Sequence, residues 1–101
     1  MSVELNYVMV MGRLEADPVR VESEDGNPGC AFVLSVETTS KDRKTTARVK
    51  VTASARLAEI CLQFLKAGRS ALVIGKLVGE NPADWRVVAD QVQFMDGKEK
   101  R

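Results

Sequence analysis

The residues of this chain that could do chemistry are cationic and hydroxylic rather than nucleophilic. Residues 38–56 carry six basic side chains and one acidic side chain, whereas residues 1–37 carry two basic and seven acidic ones. Cationic groups neutralise phosphates, and hydroxyl groups hydrogen-bond to them. The middle of the chain is therefore a candidate surface for a polyanion, although the net charge of the chain is only +1.

Catalysis and metal binding find little support among the residue types. The chain has no histidine, so it can form neither a Ser-His nor a Cys-His couple. Its two cysteines, Cys30 and Cys61, are too few for a four-ligand zinc site and are expected to be reduced core residues. Because no glycine-rich phosphate loop is present either, we predict that the protein is not an enzyme and needs no cofactor or metal.

The basic residues fall on a segment with the pattern of a strand. From Thr45 to Ser54, alanine and valine alternate with cationic and hydroxylic residues. Successive side chains of a strand point to opposite faces, so the cations and hydroxyls share one face. Two interpretations remain open here: a nucleic-acid surface, or the charged face that an antiparallel sheet ordinarily presents to water.

The elements that must position this face are mostly strands. We predict strands at residues 5–14, 30–38, 45–54, 69–78 and 85–95, with residues 19–22 continuing the first past a break. A short helix between the third and fourth strands follows from an apolar stripe at helical spacing, formed by Leu57, Ile60, Cys61, Phe64 and Leu65. A closed five-stranded barrel would hide the strand edges, and an α+β sandwich is the alternative.

Composition predicts one domain over residues 1–101, because no linker, repeat or low-complexity tract interrupts the chain. The N-terminus lacks the pattern of a secretory signal, and no apolar run is long enough to span a bilayer. We therefore expect a cytoplasmic protein without a membrane partner.

Gly75, inside a strand pattern, predicts a bulge or a bend of the barrel.

Several blocks of sequence carry a resemblance to a known family. They are Asn6–Leu14 with Asp17-Pro18, Ala31–Val36, Leu57–Gly68, and Ile74–Leu77 followed by Val87–Met95. In order and spacing they resemble the bacterial single-stranded DNA-binding proteins, which are tetrameric OB-fold proteins of replication and repair. The resemblance implies an all-β, five-stranded OB barrel with the helix between strands 3 and 4. It also implies sequence-tolerant binding of single-stranded DNA in replication, repair or recombination, at the nucleoid.

The resemblance also implies a set of binding residues, although the aromatic platforms of the family are mostly missing. The expected DNA-binding residues are Arg13, Lys41, Arg43, Lys44, Arg48, Lys50, Thr52, Ser54, Arg56, Lys76, Trp85 and Arg86. Phe32, Phe64 and Phe94 are predicted to lie in the core, which leaves Trp85 as the candidate for base stacking. We therefore expect weaker and more salt-sensitive binding than is usual in the family.

Two of these assignments have a structural alternative. Trp85 is either a stacking platform or a packing residue at the barrel rim. Arg13 either contacts the nucleic acid or forms a salt bridge with a nearby carboxylate, Glu15 or Asp17.

The first strand is apolar on both faces, so its outer side must be covered. By resemblance, this strand pairs with its mate across a dimer axis, and Tyr7, Met9 and Met11 are the expected interface of a dimer or tetramer.

The family usually continues into a linker and an acidic tip that recruits partner proteins, whereas this sequence ends in Gly97-Lys98-Glu99-Lys100-Arg101. Either the chain is a trimmed core, or recruitment of replication and repair proteins is absent.

Two other functions are compatible with the same sequence. The scarcity of aromatic residues also fits a dimeric OB module of the primosome type, which binds proteins and has only weak affinity for nucleic acid. RNA is a further candidate ligand, because the basic face does not distinguish the two sugars.

Overall fold

The computed structural model describes residues 3–22 and 26–95. These residues form strands β1 (Val8–Leu14), β2 (Val19–Glu22), β3 (Pro28–Ser40), β4 (Arg43–Ser54), β5 (Ser70–Val78) and β6 (Arg86–Phe94), together with helix α1 (Ala55–Phe64) and a 3-10 turn at Pro82–Asp84. No helix among the described residues is long and apolar enough to cross a membrane.

The six strands form one sheet that closes on itself. Their order is β1-β5-β6-β4-β3-β2, and a further antiparallel pairing joins β1 to β3. Five strands therefore complete a barrel, and β2 lies outside the closure, paired only with β3. Closure removes most of the open strand edges that a flat sheet would expose. The prediction of a five-stranded OB barrel is confirmed.

The core lies inside the barrel and beneath the helix. Alternate residues of β3 and β4 point inward, and Leu34 and Val51 are completely buried. Ala58 and Cys61 bring the apolar face of α1 onto the same cluster. Cys30 and Cys61 are both buried in this core, as predicted, and no disulfide joins them. No polar or charged side chain among the described residues is buried, so packing of apolar groups stabilises this interior.

Two details of the fold differ from the prediction. The helix follows the fourth strand rather than the third, because Val19–Glu22 forms a strand of its own instead of extending β1. Phe64 and Phe94 are not core residues: their side chains are 49% and 41% exposed, with ring centroids 5.9 Å apart. Since α1 ends at Phe64 and β6 ends at Phe94, the two rings contact each other at the rim, where the barrel covers only one side of them.

The predicted irregularity at Gly75 is confirmed. The register between β5 and β6 shifts between Ile74 and Gly75. A Cβ atom on Gly75 would lie only 2.0 Å from the carbonyl oxygen of Val88, so a larger residue would force the two strands apart. The bulge lets the sheet bend sharply enough to close.

The entry into β1 is fixed by a side chain. The Asn6 amide donates to the Leu77 carbonyl oxygen and accepts from the Leu77 N–H, both at 2.8 Å. Asn6 lies opposite Leu77 in the register of β1 and β5, and these two side-chain bonds take the place of a pair of backbone hydrogen bonds there.

The junction between β4 and α1 generates a stability prediction. Ala55 has a φ of 55°, in the left-handed region that costs an alanine about 1–2 kcal/mol. Ala55→Gly removes that cost, although glycine adds entropy to the unfolded chain. We expect a net stabilisation of about 0.5–1 kcal/mol, measured as a higher urea midpoint of unfolding.

Ala67→Gly is the matched control, because Ala67 is exposed and is not among the residues with positive φ. This variant should lose about 0.5 kcal/mol through chain entropy alone. If Ala55→Gly lowers the urea midpoint of unfolding as much as Ala67→Gly does, the backbone of Ala55 is not strained.

Candidate nucleic-acid interface

A groove of about 430 Å³ runs over the outer face of β3 and β4. One wall is the segment that follows β1, and the other is the start of β6. The groove is lined by Glu15, Ala16, Asp17, Val19, Ala31, Phe32, Val33, Arg48, Lys50, Val51, Thr52 and Arg86. It therefore combines an aliphatic floor with cationic groups.

The register of the hairpin explains that combination. Val33 lies opposite Lys50, and Ala31 lies opposite Thr52. Because these residues alternate with the inward-facing Leu34 and Val51, small apolar side chains of β3 stand beside long polar side chains of β4 on one face. The alternation predicted for residues 45–54 is confirmed from Val49 onward, where Val51 and Ala53 are buried, whereas Ala47 is exposed because the hairpin extends beyond the barrel. Arg48, Lys50 and Thr52 all line one groove.

Arg48 does not stand alone in this groove. Its Nε and Nη2 atoms donate to the two carboxylate oxygens of Glu15, at 2.8 and 2.6 Å. These hydrogen bonds lower the pKa of Glu15 and raise the pKa of Arg48, so both groups stay charged near neutral pH. The sequence suggests Glu15 as a partner of Arg13, which lies two residues away along the chain. In the structure the partner of Glu15 is Arg48, which is 33 residues away along the chain.

Arg13 forms no salt bridge within residues 3–22 and 26–95. Asp17, its other proposed partner, instead accepts a hydrogen bond from the Ala67 N–H at 2.8 Å. Arg13 pairs with Ser35, which in turn lies opposite Arg48, so the three residues form a row on the outer face. Arg13 lies one strand away from the groove and is exposed.

The loop between β5 and β6 is held at the opposite wall of the groove. Lys50 Nζ donates to the carbonyl oxygen of Ala83 at 3.2 Å, and Arg86 Nη1 donates to that of Asp84 at 3.4 Å. Trp85 is 48% exposed and its ring lies against Gly79. The indole is therefore packed on one side and open on the other, just outside the residues that line the groove.

The hairpin between β3 and β4 extends the basic surface away from the barrel. Lys41, Arg43 and Lys44 lie at its tip, and every residue from 37 to 48 is exposed. Lys41 and Asp42 make the turn with positive φ, and a hydroxyl hydrogen bond joins Thr38 to Thr45 across the strands. Within residues 37–47 of this hairpin, the only ion pair to a described residue is the open 3.9 Å contact of Lys44 with Glu37.

The remaining predicted binding residues are distributed around this centre. Lys76 lies on β5, in the outer row that continues through Val88 of β6 to Thr52 of β4. Arg56 is exposed on the first turn of α1. Ser54 is the N-cap residue of α1, although its side chain makes no capping hydrogen bond. These residues are not lining residues of the groove.

Sequence reasoning missed the aliphatic floor and the role of Glu15. The alternation of residues 30–38 does place Ala31, Val33 and Ser35 on the face opposite Phe32 and Leu34, but alternation alone does not show that this face is the floor of a groove. The position of Glu15 required the order of the strands, because only the pairing of β1 with β3 brings it beside β4.

The outer face of β1, together with the residue before it, carries a second, apolar surface. Tyr7, Met9 and Met11 are 62%, 54% and 53% exposed. Along one edge β1 pairs with β5 over residues 8–13, whereas on the other edge the described pairing with β3 covers only Arg13 and Leu14. None of these three residues lines the groove, although Met11 lines a neighbouring cavity together with Arg13 and Glu37.

Comparison with known proteins agrees with this geometry. Residues 5–95 match the model of the single-strand binding protein family. A protein of Thermotoga maritima named "Single-stranded DNA-binding protein" is 31% identical over 92% of this chain and 75% of its own length. A protein of Caldanaerobacter subterraneus with the same name is 33% identical over 93% of this chain and 70% of its own length.

The fold is found among solved structures as well. A Plasmodium falciparum SSB solved in complex with ssDNA superimposes with a TM-score of 0.78, at 18% identity, over 95% of this chain and 99% of its own. At that identity the likeness establishes the barrel architecture. The match over residues 5–95, supported by relatives more than 30% identical, establishes more: the chain belongs to the single-strand binding protein family.

Proposed function

We propose that this protein binds single-stranded DNA without sequence preference, along the groove and the basic hairpin, in DNA replication, repair or recombination. The observation that carries the proposal is the groove itself, in which an aliphatic floor lies beside Lys50 and Thr52. Exposed bases of a single strand need apolar or planar surfaces, and its phosphates need cations. A groove of this kind supplies both.

The backbone of the strand is proposed to run from the hairpin tip into the groove. Lys41 and Arg43 at the tip and Lys50 in the groove make no salt bridge within residues 3–22 and 26–95, so their charges are available to phosphates. Lys44, Arg56, Lys76 and Arg86 extend this cationic surface, and Arg13 extends it on the other side. Thr52 and Ser54 are half-buried beside this path and offer hydroxyl groups to the sugar–phosphate backbone.

Family membership favours this function over the primosome-type alternative, because the relatives above are named as single-stranded DNA-binding proteins. We propose that binding is the whole of the biochemical activity, without catalysis, and that it takes place on DNA at the nucleoid. We further propose that residues 1–101 act as one domain. RNA is tested as a competitor, since cations and hydroxyl groups can bind the backbone of either nucleic acid.

The basic experiment is a fluorescence-anisotropy titration of labelled oligothymidine at low and near-physiological salt. Duplex DNA and oligouridine of equal length serve as competitors. Strand-selective binding that duplex does not displace supports the proposal. Equal displacement by duplex, or no binding even at low salt, would contradict it.

Removal of single cations should change the salt dependence in a predictable way. Each phosphate contact on a single strand contributes about 0.7 to the slope of log K against log salt. We therefore expect Lys41→Gln and Lys50→Gln each to flatten that slope by about 0.7 and to weaken binding about fourfold at 0.15 M salt.

The matched control is Lys66→Gln, which removes the same charge from an exposed residue after α1 that does not line the groove. The control should leave the slope unchanged. If Lys50→Gln and Lys66→Gln have the same slope, Lys50 does not contact phosphate in the complex.

We also propose that the apolar surface of Tyr7, Met9 and Met11 is covered by a second copy of the chain. Three large apolar side chains, each more than half exposed, lie next to the strand edge of β1 that the described pairing leaves open beyond Arg13. An open edge flanked by apolar groups is a template for strand pairing, which the same edge of a second copy can complete. The expected assembly is a dimer or a tetramer.

Met9→Glu should dissociate this assembly, because each protomer would place a charge in an apolar contact. Sedimentation equilibrium should then give the mass of one chain, whereas the wild type gives two or four times that mass. Gln63→Glu, an equal change of charge on the exposed side of α1, is the control and should keep the wild-type mass. A monomeric wild type, or an unchanged mass for Met9→Glu, would refute the interface.

A further inference from the structure

The ion pair of Glu15 and Arg48 differs from the other charges of the groove. Both oxygens of the carboxylate accept hydrogen bonds from one edge of the guanidinium, at 2.8 and 2.6 Å. Such a two-point contact holds both groups in a fixed relative orientation. Arg48 is nevertheless 69% exposed, and the carboxylate is 31% exposed. The edge of the guanidinium is occupied while much of its remaining surface is open.

This arrangement is poorly suited to binding a phosphate. A phosphate would have to displace Glu15 from the same donors or approach against its negative charge. Lys50, 3.2 Å from a neutral carbonyl oxygen, does not have this obstacle. The charge of Arg48 is therefore largely compensated within the protein itself, and its contribution to counterion release should be small.

The same arrangement is well suited to binding a base. Planar guanidinium groups stack on bases, and the strength of that contact does not require a free hydrogen-bonding edge. A guanidinium fixed by a carboxylate loses less side-chain freedom on stacking than a mobile one. Val33, diagonally across the hairpin from Arg48, lines the same groove and offers an apolar surface to the edge of a base stacked there.

We propose that the Glu15–Arg48 pair is a base-stacking platform, in which Glu15 positions the guanidinium plane of Arg48 against a nucleobase rather than leaving it to bind phosphate. This inference rests on the proposed function, because it names the part of the strand that this portion of the groove contacts. The ligand of the platform is an unpaired base of any sequence. Glu15 is a positioning residue, and Arg48 is the group in contact.

The test compares oligothymidine with an abasic oligomer of the same length, which keeps the phosphates and lacks the bases. The ratio of the two dissociation constants measures the contribution of the bases. Arg48→Lys keeps the charge and removes the plane, so this ratio should fall roughly tenfold while the salt slope stays unchanged. Glu15→Gln frees Arg48 for phosphate, so the ratio should fall severalfold and the salt slope should steepen by about 0.7.

The matched control is Glu37→Gln, which removes an equal charge from the carboxylate beside Lys44 on the same hairpin. This variant should leave the ratio at its wild-type value. Both test positions are on the surface, and thermal melts establish that each variant is folded.

The outcomes separate this inference from the proposed function. If the wild type binds both oligomers equally well, or if Arg48→Lys leaves the ratio unchanged, DNA binding stands and the platform is overturned. The platform is also overturned if Glu15→Gln, like Glu37→Gln, leaves the ratio of the two dissociation constants at its wild-type value. If the wild type binds neither oligomer at low salt, the proposed function fails, and the platform fails with it.

Discussion

The closure of the barrel through β1 is the constraint on which the other features depend. β1 pairs with β5 along most of its length and then crosses to pair with β3 at Arg13 and Leu14. The crossing requires an unusually close approach of two backbones. A Cβ atom on Gly12 would lie 2.4 Å from the carbonyl oxygen of Ser35, so glycine is needed where the strands meet. Without that contact the sheet would stay open, and the edge of β3 opposite β4 would be unpaired at Leu34 and Ser35.

Closure also determines which charges become neighbours. The chain leaves β1 immediately beyond the crossing, which brings Glu15 over the outer face of the β3–β4 hairpin and within hydrogen-bonding reach of Arg48. The N–H of Glu15 donates to the Val33 carbonyl oxygen at 3.0 Å, so the main chain that carries this carboxylate is tied to β3. The electrostatic character of the groove is therefore a consequence of the topology as much as of the residues of β4.

This dependence explains what could be predicted from the sequence and what could not. Alternation within one strand is a local property, so the inward position of Val51 and the outward position of Lys50 were both predictable. The partner of Arg48 depended on which strand lies beside which, and periodicity contains no information about that order. The exposure of Phe64 shows a second limit, because α1 ends at this residue and the ring lies beyond the core. Helical periodicity gives the direction of a side chain but not the depth of the protein under it.

The distribution of charge reconciles the modest net charge with a nucleic-acid surface. Residues 38–56 carry six basic side chains, and in the described structure carboxylates compensate only two of them, Arg48 tightly and Lys44 loosely. The uncompensated cations are spread from the hairpin tip to the groove and to α1, which suits a flexible strand whose phosphates are several ångströms apart. The compensated Arg48 lies where the floor is aliphatic. Under the proposals above, the groove separates the two tasks that a single strand imposes: the uncompensated cations meet the phosphates, and the neutralised Arg48 plane meets the bases.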